Sequence, residues 1–157
     1  ATVAMYNPLR RTFIRMPPGK SPLIDQSSQT DGTFPDGWEW EKFKVVDAGN
    51  GLYAFWSYIN KCFLRVNPGQ PTLDRSSPRP DGTLPKSWTW EKFRVTDIGD
   101  GKVAFWNPNS KAFIRTPMTP FLDKSGVSAN GLLPSAWTWE QYRIVYPKSP
   151  TKKPTFE

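Results

Sequence analysis

One block of sequence recurs three times in this chain at an almost constant spacing. Trp38-Glu39-Trp40-Glu41-Lys42-Phe43 returns as Trp88-Thr89-Trp90-Glu91-Lys92-Phe93 and as Trp137-Thr138-Trp139-Glu140-Gln141-Tyr142, offset by 50 and then 49 residues. Phe13-Ile14-Arg15, Phe63-Leu64-Arg65 and Phe113-Ile114-Arg115 keep the same phase, as do Asp31-Gly32, Asp81-Gly82 and Asn130-Gly131. A fixed period of this length marks one supersecondary unit used repeatedly, and the number of copies limits how the units close on one another.

Three copies are too few for a propeller, which closes with roughly 4–8 blades. An open solenoid needs end units with polar outer faces, yet the first and third copies are as aromatic as the second. Closure about a threefold axis remains. Three four-stranded units of this length form a β-trefoil, an all-β fold with a short six-stranded barrel closed at one end by three hairpins, and closure removes exposed strand edges. The 17 Pro and 11 Gly spread through the repeats oppose long helices, while 8 Trp, 5 Tyr and 10 Phe suit pleated, half-buried surfaces. One-third of the chain cannot bury its own apolar face, so a single cooperative domain over 1–146 is expected, with repeats 1–51, 52–101 and 102–146 and a mobile Pro- and Lys-rich tail over 147–157.

Each repeat is read as a hairpin, a short third strand and a longer fourth. The hairpin strands are Val3–Tyr6 with Thr12–Met16, Leu52–Trp56 with Cys62–Val66, and Lys102–Trp106 with Ala112–Thr116. Leu23–Asp25, Thr72–Asp74 and Phe121–Asp123 follow after Pro-rich loops, which alone vary in length, and Glu41–Val46, Glu91–Thr96 and Glu140–Val145 complete the units. The period of two puts Phe43/Val45, Phe93/Val95 and Tyr142/Ile144 on one face, predicted to be core. Asn50-Gly51 and Asp100-Gly101 supply tight turns that accept positive φ.

Glu41 to Gly51, followed by an apolar strand and Lys61-Cys62-Phe63-Leu64-Arg65, resembles the repeat of the fascin-like, actin-crosslinking-like branch of β-trefoils, and the resemblance covers all three repeats. It implies the fold and opens the possibility of actin as partner. β-Trefoils also include lectins, growth factors and protease inhibitors, so function rests on sites. The Gln-x-Trp motif of ricin-type lectins and the His-Pro-x-Gly-Gly motif of another lectin branch are both absent.

The chain has no histidine, which removes the usual neutral-pH base and zinc ligand, and its lone Cys62 excludes an intrachain disulfide and thiolate metal sites. Asp25, Asp74 and Asp123 recur in phase, but symmetry copies lie on separate faces, whereas a catalytic carboxylate pair sits within about 5–10 Å. The expectation is a non-enzyme that needs no metal and no cofactor. The net charge of +7 is scattered without an arginine-rich run, which disfavours nucleic acid as partner. The longest apolar run, Leu52–Trp56, is too short to cross a bilayer, and Val3–Tyr6 already belongs to the first repeat. With one Cys and no leader, a cytoplasmic location is expected, non-classical secretion or prior removal of a leader being the other routes.

Tyr6, Trp56 and Trp106 fall on the strand face opposite the barrel core, directly before a polar turn. A half-exposed ring beside polar groups suits a saccharide, since the aromatic face covers C–H groups while neighbours bond hydroxyls. The candidate carbohydrate sites therefore combine Tyr6, Asn7 and Asp25; Trp56, Ser57 and Asp74; and Trp106, Asn107 and Asp123, with repeat two the most altered. Trp38/Trp40, Trp88/Trp90 and Trp137/Trp139 are read as scaffold. The preferred function is a lectin-like module for glycans or glycoproteins with up to three shallow sites. The rivals are a fascin-like module for actin or another acidic protein, and, third, a protease inhibitor.

Overall fold

The structure, a computed structural model, describes residues 1–147; the residues read as a mobile tail lie, from 148 onward, outside the described part. Twelve strands and no helix occur among the described residues: β1 Thr2–Asn7, β2 Thr12–Arg15, β3 Asp25–Gln26, β4 Phe43–Gly49, β5 Leu52–Ser57, β6 Leu64–Arg65, β7 Asp74–Arg75, β8 Phe93–Gly99, β9 Lys102–Asn107, β10 Ala112–Arg115, β11 Asp123–Lys124 and β12 Arg143–Val145. No helix is long and apolar enough to cross a membrane among these residues.

Six strands make the barrel, in the order β12-β1-β4-β5-β8-β9, all antiparallel. Its closure is the reciprocal pair Val103 N–H to Tyr142 O (2.8 Å) and Tyr142 N–H to Val103 O (2.9 Å), which joins β9 to β12. The three short hairpins β2–β3, β6–β7 and β10–β11 seal one end. This is the β-trefoil arrangement. Between β4 and β5, and again between β8 and β9, three consecutive residues hold positive φ: Gly49, Asn50 and Gly51, then Gly99, Asp100 and Gly101. Only Gly, Asn and Asp enter that region cheaply, which is why the sequence shows this composition there.

The barrel interior is built in threefold layers. Phe43, Phe93 and Tyr142 are wholly buried, as are Met5, Phe55 and Phe105 and the capping sets Ile14/Leu64/Ile114 and Ile24/Leu73/Leu122. Val45, Val95 and Ile144 pack against this cluster while partly exposed. Tyr142 breaks the apolar pattern, but its hydroxyl lies 2.7 Å from Thr116 Oγ1, and Thr116 replaces Met16 and Val66 of the other repeats. The buried polar group is thereby satisfied by a coordinated change.

The third strands begin two residues later than expected, at the aspartates. Ile24, Leu73 and Leu122 instead link the repeats around the axis, Leu73 N–H donating to Leu122 O and Leu122 N–H to Ile24 O, both at 3.0 Å.

Candidate functional site

The expected half-exposed rings are corrected by the structure. Tyr6, Trp56 and Trp106 do face away from the barrel core, yet they are only 6%, 5% and 7% exposed. The segment between the third and fourth strand of each repeat folds over them. Phe34 and Trp38 pack on the cluster of Tyr6 with Phe13, Leu84 and Trp88 on that of Trp56 with Phe63, and Leu133 and Trp137 on that of Trp106 with Phe113. Each ring's polar handle is also used internally: Tyr6 Oη donates to Thr30 O (3.1 Å), Trp56 Nε1 to Arg79 O (2.9 Å) and Trp106 Nε1 to Ser128 O (3.0 Å). The recurring glycine belongs to this lid. A Cβ at Gly32 or Gly82 would lie 3.4 Å from the ring of Tyr6 or Trp56, and one at Gly131 would lie 3.0 Å from Trp106.

The turn residues are likewise buried instead of free. Asn7 Nδ2 donates to Trp139 O (3.0 Å), and Asn107 Nδ2 reaches the carbonyls of Thr89, Trp90 and Lys92 at 3.2, 3.1 and 3.0 Å. Both side chains reach across to another repeat, so Asn7 serves repeat three and Asn107 repeat two. Ser57 is wholly buried and accepts from Asn60, whose Nδ2 also donates to Met16 O (2.8 Å). Asp25, Asp74 and Asp123 do not join these groups. Each accepts a two-pronged bond from the strand-two arginine, with Nε–Oδ1 distances of 2.8, 2.7 and 2.8 Å to Arg15, Arg65 and Arg115. Among the described residues no hydrogen bond joins the ring, turn residue and aspartate of one repeat, and each is bonded elsewhere in the fold.

A different constellation is gathered, and it includes residues read as scaffold. The guanidinium carbon of Arg15 lies 5.2 Å from the Trp40 ring centroid, that of Arg65 5.1 Å from Trp90, and that of Arg115 4.9 Å from Trp139. The fold brings them together through one bond per repeat, in which Met16, Val66 and Thr116 N–H donate to the carbonyls of Trp40, Trp90 and Trp139 at 3.0, 2.9 and 3.0 Å. Glu41, Glu91 and Glu140 follow these tryptophans and are buried. Burial pushes all three carboxyls up from the ordinary range, Glu41 to about 6, with the neighbouring arginines pulling the other way.

Two grooves open on this constellation. One of about 380 Å³ is lined by Arg65, Ser87, Trp88, Thr89, Trp90 and Glu91. Its counterpart of about 360 Å³ is lined by Arg115, Gly126, Ala136, Trp137, Thr138, Trp139 and Glu140. Glu91 is 3% exposed, and its Oε1 has no hydrogen-bond partner among the described residues. An unmet buried acceptor costs about 1–3 kcal/mol and marks a place where a donor fits. In repeat one, Glu39 stands where the others carry Thr89 and Thr138, and it pairs with Lys42 Nζ at 2.6 Å. The readable signal was the repeated Trp-Glu step in phase with Phe-x-Arg, but sequence alone does not say that both tryptophans of repeats two and three stay half-buried at a groove. Among the described residues, no group of three or more His, Cys, Asp or Glu is placed to hold a metal ion.

No family model matches the chain, and no curated protein matches it. Solved structures do match in fold. The designed 3-fold symmetric protein ThreeFoil superposes with a TM-score of 0.70 at 14% identity, over 93% of this chain and 99% of that one. The BEL beta-trefoil gives a TM-score of 0.66 at 13% identity, over 91% and 90%. SeviL, solved bound to asialo-GM1 saccharide, gives 0.63 at 10% identity, over 92% and 95%. At these identities the likeness concerns the fold alone, and the chain shares the β-trefoil with all three.

Proposed function

We propose that this protein is a non-catalytic, lectin-like carbohydrate-binding module whose sites are the Trp-Thr-Trp-Glu grooves of repeats two and three. The observation that carries this reading is the buried, unpartnered Oε1 of Glu91 at a groove bordered by Trp88 and Trp90. A saccharide supplies both complements at once: a hydroxyl donates to the carboxylate in a charge-assisted bond, and its C–H face covers indole. The exposed hydroxyl residues Ser87 and Thr89 line the same groove and are free to meet further sugar hydroxyls. Repeat one, with Glu39 and its ion pair in place of threonine, is the altered copy. Two equivalent grooves on one rigid barrel favour clustered glycans through avidity. The aspartates first placed beside the sugar act instead by fixing the arginine that lies over the tryptophan. SeviL, a fold neighbour, carries a saccharide, which makes that saccharide a natural member of the first glycan panel.

The test is a glycan array followed by titration calorimetry on Glu91→Met and Glu140→Met, singly and together. Replacing the buried carboxylate, unpartnered at Glu91 Oε1, by an apolar side chain of similar length leaves the fold as stable or more so at Glu91, while each variant loses about tenfold or more in affinity at its groove. A double variant that binds as the wild type does, or a protein that pellets with filamentous actin and binds no glycan, overturns the reading.

A further inference from the structure

The closed end of the barrel carries a surface that the glycan grooves do not use. Segments 16–24, 66–73 and 116–122 meet there around the pseudo-threefold axis. Besides the bonds among Ile24, Leu73 and Leu122, Gln26 Nε2 donates to Thr119 O at 3.0 Å, and the Arg75 guanidinium reaches the carbonyls of Pro17 and Gly19. Each loop is thus tied to a neighbouring repeat, and together they form one face. The three segments are rich in proline and contain no Asp or Glu. Met118 is 79% and Phe121 39% exposed on it. Lys20, Arg75 and Lys124 supply positive charge around these apolar side chains, and among the described residues none of the three pairs with a carboxylate. The aspartates that follow the three segments are already neutralised by Arg15, Arg65 and Arg115.

We infer that this face docks on an anionic lipid bilayer, with Met118 and Phe121 entering the headgroup boundary and the basic residues facing phosphate and carboxylate groups. Charge complementarity selects this occupant. A second copy placed face to face would set Lys20, Arg75 and Lys124 against their own kind, whereas an anionic leaflet attracts each of them. Exposed apolar tips inside a cationic collar, free of unpaired acid, are the pattern by which peripheral proteins hold such surfaces.

The experiment is flotation of the full chain with vesicles free of glycolipid, made of phosphatidylcholine alone or mixed with phosphatidylserine, so that the sugar grooves have nothing to bind and the two readings fail separately. The wild type floats with the anionic vesicles and not the neutral ones, and added salt weakens binding. Because a basic residue near an anionic surface contributes about fivefold in partitioning, Lys20→Glu with Lys124→Glu lowers binding by about 25-fold or more. Met118→Ser with Phe121→Ser lowers it independently, without altering charge. All comparisons keep the C-terminal lysines constant, and urea midpoints check that each variant is folded. Failure of the wild type to float, flotation unchanged in both folded variant pairs, or a dimer in sedimentation equilibrium that Met118→Ser dissociates would overturn the inference.

Discussion

Removing the Arg65 guanidinium while keeping its stem, as in Arg65→Met, strips Asp74 of two bonds at 2.7 and 3.2 Å and leaves it only Asn67 Nδ2 at 3.2 Å. The Asp74 side chain is 7% exposed, so water does not readily replace the lost donors. Breaking a buried ion pair costs about 3–5 kcal/mol; the partial exposure of Arg65 and the surviving Asn67 bond reduce this to about 2–4 kcal/mol here. The same change at Arg15 or Arg115 exposes an aspartate already 18% or 20% accessible, so solvent takes over part of the role and the cost falls to about 1–3 kcal/mol. The ranking, Arg65 above Arg15 and Arg115, comes from burial and not from bond length, since the Nε–Oδ1 bonds are nearly the same in all three and the second prong is longest at Arg65. Urea unfolding with an unchanged m-value measures it. The double variant Arg65→Met with Asp74→Asn recovers part of the loss, because the stranded charge is gone. A loss below about 1 kcal/mol at Arg65, or equal losses at all three arginines, refutes the reasoning.

Other consequences concern the core and pH. Tyr142→Phe strands the Thr116 hydroxyl and costs about 1–2 kcal/mol, whereas adding Thr116→Val, which copies repeat two, restores most of it; equal stability of the single and double variants contradicts the pairing. For Glu41, burial raises the folded carboxyl to about 6 from 4.5, so the folded state holds this proton more tightly than the unfolded chain does. Its favourable contribution is present below about 4.5 and is lost as pH rises through about 6, with Glu91 and Glu140 shifted in the same direction. Melting temperature therefore falls between pH 5 and 7 in the wild type, and the Glu41→Gln, Glu91→Gln, Glu140→Gln triple variant flattens that slope; a wild type flat over this window contradicts it.

Much of the architecture was legible because it depends on local pattern and on counting. The period near 50, the alternation in Phe43/Val45 and its copies, and the Gly-Asn-Gly and Gly-Asp-Gly turns each act within one repeat, and three copies leave one way to close. The strand face of Tyr6, Trp56 and Trp106 was legible for the same reason. Their exposure was not, since it depends on where residues some 20–30 positions away come to rest: Gly32, Gly82 and Gly131 lie against these rings, and Phe34, Leu84 and Leu133 pack on the clusters that hold them. The fate of Asn7 and Asn107 was hidden for a related reason, because their partners belong to another repeat.

Sequence by itself determined the fold class, the threefold layering of the core and the chemical inventory, which holds no histidine and one cysteine; these follow from side-chain type and spacing whatever the chain does in space. Tertiary structure alone decided which aromatic ring stays at the surface, which carboxylate is matched and which is left without a donor. Asp74 and Glu91 are both acidic, buried and repeated in phase, yet one receives an arginine fork and the other retains a bare oxygen beside a groove. Burial and partnering are properties of packed neighbours, and those neighbours are assembled across the barrel from strands far apart in the chain.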